Sequence, residues 1–260
     1  MPEPWKRAGQ KIGGWLAHPL AAFRWLLSWI GRYEPVVLGV LLLLFLAILV
    51  FVQVADEVLE GDTAGFDEWA VRALRRADDP SRPLGPRWLM EVGRDVTALG
   101  GIAVLTGLTL AVSGFLWLRR MFGAMALVLA STLGGTAASL LLKQLFERPR
   151  PELVPHLSHV YTSSFPSGHA MLSATVFLTL GTLLGRFVSD FHLKAYFLGI
   201  ALLLTVLVGI SRVYMGVHYP TDVLAGWVAG LAWALGCWLV VRMLQRRGAV
   251  EQDLENRPPA

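Results

Sequence analysis

Six stretches of this sequence carry no Asp, Glu, Lys or Arg: Pro35–Ala55, Val96–Leu118, Met121–Leu142, Ala170–Gly185, Ala195–Ser211 and Val223–Val241. A helix needs about 20 apolar residues to cross a hydrocarbon core, with about 17 to 25 as the working range. The first three stretches meet that length outright, and the shorter fourth and fifth gain reach from polar residues at their tips. The expected fold is therefore all-α, a polytopic membrane protein with six transmembrane helices. Composition agrees, because only 16% of the residues are charged where a soluble domain has about a quarter. With 55% hydrophobic residues, there is too much apolar surface for a disordered chain. A lone cysteine, Cys237, excludes disulfide frameworks and cysteine-rich metal sites.

The interiors of the six stretches hold no ionisable Asp, Glu, Lys or Arg, which argues against an ion pathway at membrane depth. Small residues such as Gly134, Gly135, Ala137, Ala138, Gly226 and Gly230 would instead let helices pack closely. Orientation follows from the connecting segments. Residues 1–34, 119–120, 186–194 and 242–260 hold 13 Lys and Arg, whereas the opposite set, 56–95, 143–169 and 212–222, holds 10. Basic residues favour the cytoplasmic side, so both termini are expected there, in the inner membrane of a bacterium. The absence of a glycosylation sequon and the compact size agree with a bacterial source.

Residues 1–34 begin like a signal peptide, with Lys6, Arg7 and Lys11, but His18, Pro19 and Arg24 interrupt the apolar part. A signal peptide needs an unbroken apolar core and a cleavage site. Basic residues with Trp15, Trp25 and Trp29 fit a cytoplasmic segment with an interfacial amphipathic helix. The six-helix domain is expected over 35–243, and 244–260 is expected to be a disordered cytoplasmic tail. Within the outer loop 56–95, Phe66, Trp69, Ala70 and Leu74 show helical spacing, readable either as a surface helix or as a solvated connector.

Polar residues gather at particular span ends. Lys143 ends the third, His169 begins the fourth, Arg212 ends the fifth and Asp222 begins the sixth. In a six-span chain these ends share one face, the outer one if the N-terminus is inside. Lys143, Arg150, Ser167, Gly168, His169, Arg212, His218 and Asp222 can therefore converge. Three cations can balance a phosphate dianion, and Arg can do so through paired hydrogen bonds. Ser167-Gly168 at a helix start offers free backbone N–H groups and close access for an anion. His218 and Asp222 lie four residues apart, about one helical turn, so the carboxylate can hold one ring nitrogen and free the other for attack. Taken singly, each piece is ordinary: boundary cations snorkel, Ser-Gly caps helices, and isolated histidines such as His18, His156, His159 and His192 are idle. No metal site is apparent, since His156, His159 and His169 lack further ligands.

Together, Lys143-x6-Arg150-Pro151, Pro166-Ser167-Gly168-His169 and Ser211-Arg212-x5-His218-x3-Asp222 resemble the signature of the type 2 phosphatidic acid phosphatase (PAP2) superfamily. All eleven specified positions are present in order, a far more specific signal than one short motif. The resemblance implies a PAP2/haloperoxidase-like helical bundle and a metal-independent phosphatase without cofactor. It implies that His218 attacks phosphorus to form a phosphohistidine, that Asp222 orients His218, and that His169 acts as acid and then base. Lys143, Arg150, Arg212, Ser167 and the Gly168 N–H would hold the phosphoryl oxygens.

The family's soluble haloperoxidases are excluded here by six apolar spans. A lipid phosphate is the expected substrate, with undecaprenyl diphosphate, phosphatidylglycerol phosphate and phosphatidate as candidate headgroups, and no nucleic-acid partner is expected. Two other readings remain at this stage. One is a phosphotransferase that passes the phosphoryl group to another lipid. The other is a non-enzymatic transporter or scaffold, which the intact motifs and uncharged interiors oppose.

Overall fold

The computed structural model describes residues 35–151, 154–157 and 162–246. The expected N-terminal interfacial helix, most of the C-terminal tail, His18 and His159 lie outside the described residues. Eight helices follow in order: α1 (Pro35–Glu60), α2 (Ala64–Ala73), α3 (Arg87–Leu99), α4 (Ile102–Leu118), α5 (Phe122–Phe146), α6 (Gly168–Gly185), α7 (Phe191–Tyr214) and α8 (Pro220–Arg246). Among the described residues the only β feature is an isolated bridge between Arg75 and Pro83. Five helices, α1 and α5 to α8, are long and apolar enough to cross a membrane. Helices α3 and α4, bent by 46° at a short break, make a sixth span when taken together. The chain is a multi-pass membrane protein.

The second span differs from the expected uninterrupted run over Val96–Leu118. It breaks at Gly100-Gly101, where the Gly100 and Gly101 N–H groups turn back to Thr97 O and Ala98 O at 3.1 and 2.9 Å. The cause is crowding. A Cβ on Gly100 would lie 2.5 Å from the Val208 side chain and 3.2 Å from the His169 carbonyl. Gly100 thus lets α3–α4 pass close to α6 and α7 where His169 begins its helix, while a Cβ on Gly101 would meet Ala98 O of the same turn.

The chain divides after Leu43, within α1, and the packing that follows concerns residues 44–246. Helix α6 is the most enclosed span, with eleven buried residues from Ala170 to Leu183. It lies among α5, α7 and α8. On α5 the buried face reads Ser131, Gly135, Ser139, Lys143, one residue per turn, so the inward stripe ends in a lysine. Polar groups inside the bundle are paired across helices. Ser131 Oγ meets Thr179 Oγ1 at 2.8 Å, and Trp233 Nε1 donates to Ser131 O at 3.0 Å. Small residues allow this approach. A Cβ on Gly226 would fall 2.6 Å from Ser167 O, and one on Gly230 would meet Met171 O. The outer faces carry exposed Ile102, Leu110, Leu133, Leu141, Leu202 and Ile210, as lipid contact requires.

Helix α2 sits in the stretch where Phe66, Trp69, Ala70 and Leu74 pointed to a helix, but its inward face is another one. Phe66 and Trp69 are 56% and 64% exposed, while Asp67 and Val71 are fully buried. The segment after it is tied down: Arg75 NH1 donates to Tyr214 O at 2.9 Å, and Tyr214 Oη donates to Leu84 O at 2.9 Å.

Candidate active site

The ends of α5 and α7 and the starts of α6 and α8 converge, and all eight residues expected at the site lie there. His218 follows the turn at Gly216 (φ 72°) and is 1% exposed, and Asp222 in the first turn of α8 is fully buried. His218 Nδ1 stands 3.5 Å from Asp222 Oδ2. The same carboxylate oxygen accepts from Ser164 Oγ and, at 2.9 Å, from the Tyr219 N–H. His218 Nε2 faces Arg150 NH1 at 3.1 Å. With Nδ1–H toward the carboxylate, Nε2 carries the lone pair on the side of the cations. Burial pushes the His218 imidazole down to about 3, and Asp222 only partly opposes this, so the ring is neutral at physiological pH.

Arg150 is one of three cations at these helix ends, with Lys143 and Arg212. Lys143 Nζ donates to Ser163 O at 2.6 Å, and Ser163 Oγ donates back to Lys143 O at 2.8 Å. Arg150 is held by Val217 O at 2.6 Å and Thr162 O at 2.8 Å. Arg212 is 2% exposed. Its NH1 donates to Thr97 Oγ1 at 3.2 Å, the residue at the α3–α4 break. Arg212 Nε is buried with no partner.

At the start of α6, Ser167 occupies the cap position but its side chain makes no capping bond. Its Oγ is buried and unpartnered. The competing reading of Ser-Gly as an ordinary cap therefore does not describe this serine. Gly168 lies against Lys143, whose Cε would be 3.4 Å from a Cβ placed there. The first-turn N–H groups have no helical carbonyls to pair with. His169 lies within electrostatic reach of Arg212, His218, Arg150 and Lys143. Two orphaned polar atoms, three cations and a helix N-terminus make a pocket whose unmet donors suit a tetrahedral oxyanion. Ser167 N donates to the Asp222 backbone carbonyl at 2.9 Å, fixing this helix start to the main chain of α8. His156, by contrast, has its Nε2 2.7 Å from Pro151 O in the loop. Among the described residues no three His, Cys, Asp or Glu side chains group as a metal ion requires.

Sequence reasoning missed four contributors: Thr97, Ser164, Arg148 and Asp67. Arg148 NH1 donates to Asp222 Oδ1 at 2.6 Å and Thr221 Oγ1 at 2.9 Å, and its NH2 donates to Asp67 Oδ2 at 2.7 Å. The guanidinium lies over the Tyr219 ring, 4.5 Å from its centroid. Burial works against the Arg148 charge, but Asp222 and Asp67 hold it above the ordinary guanidinium range. The available signal was an acid inside the apolar pattern of α2 and a second arginine two residues before Arg150.

Residues 123–246 match the family model described as the PAP2 superfamily. Phosphatidylglycerophosphatase B of Bacillus subtilis (strain 168) is 39% identical over 150 residues, 55% of this chain and 71% of that protein. Undecaprenyl-diphosphatase of Sulfolobus acidocaldarius is 43% identical over 67 residues, 26% of this chain and 28% of that one. Among solved structures, the transmembrane PAP2 type phosphatidylglycerolphosphate phosphatase from Bacillus subtilis superposes with a TM-score of 0.68 at 30% identity. That match covers 78% of this chain and 96% of the other.

Proposed function

The chain belongs to the PAP2 superfamily, and from that membership we propose that it is an integral-membrane lipid phosphate phosphatase working through a phosphohistidine at His218. The observation that carries this reading is the neutral, buried His218, with Nδ1 toward Asp222 and Nε2 toward the Arg150 guanidinium. Nε2 attacks phosphorus, the P–O bond to the lipid breaks, and His169 gives its proton to the departing oxygen. Water, deprotonated by His169, then displaces His218 and releases inorganic phosphate. Lys143, Arg150, Arg212, Ser167 Oγ and the Gly168 N–H hold the equatorial oxygens while charge develops on them. The scheme uses the chain's own side chains and backbone with one water.

A lipid substrate is supported by an apolar cavity of about 720 Å³. It runs from Leu142 and Met171, next to the site, to Gly123 and Leu244 at the far ends of α5 and α8. A hydrocarbon chain attached to a phosphate at the site would lie in it. The charge bias of the connecting segments supports an outward-facing site with cytoplasmic termini. Phosphatidylglycerol phosphate is the first headgroup to try, because the Bacillus subtilis relative named for it is matched over 71% of its length. Undecaprenyl diphosphate and phosphatidate are the comparators.

The test is phosphate release by the detergent-purified protein with EDTA present, each lipid offered separately and His218→Ala as control. Release from at least one lipid, lost in the variant, is expected. Full turnover by His218→Ala would refute the mechanism. Phosphate transfer to an added acceptor lipid, without release, would make the protein a phosphotransferase.

A further inference from the structure

Asp67 is an unusual residue to find without any exposure. It lies on the surface helix α2, yet its carboxylate accepts Thr221 N at 3.2 Å, Thr221 Oγ1 at 2.6 Å and Arg148 NH2 at 2.7 Å. An apolar side chain would anchor the same helix without the cost of burying a charge. Arg148 joins this carboxylate to Asp222, and its fork divides cleanly, one nitrogen to each acid. Held at Oδ1 by Arg148, Asp222 turns Oδ2 to His218.

We propose that Asp67 and Arg148 are positioning residues for the nucleophile: Arg148 clamps Asp222 so that one oxygen is presented to His218, and Asp67 aims that clamp and restores negative charge beside the imidazole. This rests on the reading of His218 as the nucleophile. The charge argument is simple. Arg148 and Asp222 alone would form a neutral pair, with little left to stabilise a phosphorylated, positively charged imidazole. Adding Asp67 makes the buried triad net negative. Stacking on Tyr219 shields the fork from water and so strengthens both contacts. Arg148 is thereby set apart from Lys143, Arg150 and Arg212, whose donors meet Ser163 O, Val217 O and Thr97 Oγ1 rather than a carboxylate.

The experiment compares native protein, Asp67→Asn, Arg148→Gln, their double variant and His218→Ala, all full length in detergent. It reads kcat, KM, inhibition by inorganic phosphate, and trapping of labelled phosphohistidine from radiolabelled lipid substrate. Losing a partner that orients a metal ligand costs about 10- to 100-fold in activity, and a nucleophilic imidazole is oriented by the same kind of bond. Asp67→Asn should therefore lower kcat and the trapping rate by about that factor, with KM and the phosphate inhibition constant within about threefold of native. The double variant should be no worse than the poorer single, because the residues act as one unit. Where Asp67→Asn fails to fold, Arg148→Lys reads the same split, since one ammonium cannot fork between two carboxylates. A folded Asp67→Asn protein with native kcat overturns the proposal. So does a weakened phosphate inhibition in Arg148→Gln with kcat intact, which would make Arg148 a phosphate ligand. Loss of fold in both Asp67→Asn and Arg148→Lys would reduce the bridge to a structural role. Absence of any trapped phosphohistidine in native protein, or turnover by His218→Ala, would instead defeat the underlying mechanism.

Discussion

Ser167 Oγ is a buried hydroxyl without a hydrogen bond to the protein, and a buried unmet group costs about 1 to 3 kcal/mol. Removing it should relieve the fold and harm the reaction. Ser167→Ala is thus expected to melt at or above the native temperature while its inhibition by inorganic phosphate weakens about tenfold, from one lost charge-assisted bond. A melt and a phosphate titration on one preparation check both signs. His218 gives a second residue-level outcome. Its folded value is depressed to about 3, below the unfolded value of about 6.5, so between those limits the unfolded chain binds the extra proton. Stability therefore rises with pH across that window and is lost as pH falls below about 6.5, by at most about 1.4 kcal/mol per unit. Above about 6.5 both states are neutral and the contribution is flat. Replacing the imidazole, as in His218→Asn, should flatten the fall in melting temperature between pH 7 and pH 5.

Helices α6 and α8 set the distance between the α6 helix start, proposed to bind phosphate, and the Asp222 carboxylate, and two glycines one turn apart allow it. A Cβ at Gly226 would stand 2.6 Å from Ser167 O and 3.0 Å from Ala170 Cβ; backbone cannot yield as a side chain does. Gly226→Ala should cost about 1 to 3 kcal/mol from overpacking and lower kcat, because Ser167 N also bonds Asp222 O. Gly199, exposed in the interior of α7, has nothing within 4 Å. Gly199→Ala should keep native activity and melt no lower, as alanine favours the helix by about 1 kcal/mol. Differential melting and kcat of the two variants check this contrast. The small-residue stripe was legible in the sequence, since Gly226 and Gly230 share a helix face by spacing alone. The break at Gly100-Gly101 was not, because it answers to Val208 and His169, which are distant in the chain. Asp67 escaped for the same reason: its partner Arg148 is 81 residues away, and an acid inside an amphipathic pattern reads as solvated until the opposite wall is known.

At the scale of the molecule, absent charge pointed to the spans and three spaced motifs pointed to the residues that converge at the helix ends. Neither could show the space left between helices, which depends on how side chains of different spans meet. That space is the apolar cavity of about 720 Å³ lined by Leu44 and Phe51 of α1, Ala130 and Leu142 of α5, and Trp233 of α8. Its near end touches Met171, three residues beyond Gly168, and its far end reaches Gly123. Between Gly123 and Leu142 the helix rises about 28 Å at 1.5 Å per residue, close to a whole hydrocarbon core of about 30 Å. A chain lying along it would be bound by burial of methylenes, each worth about 0.8 kcal/mol. Its phosphate would still sit among Lys143, Arg150 and Arg212. Ala130→Phe places a ring in the cavity far from any catalytic group. With a long-chain lipid phosphate, kcat/KM should fall about tenfold or more, mostly through KM. A dioctanoyl analogue, too short to reach Ala130, should be turned over as by native protein, and inorganic phosphate should inhibit equally. Equal losses on both substrates would mean that the substituted ring disturbs the site itself; no loss on either would place the hydrocarbon chain outside the cavity, against the lipid.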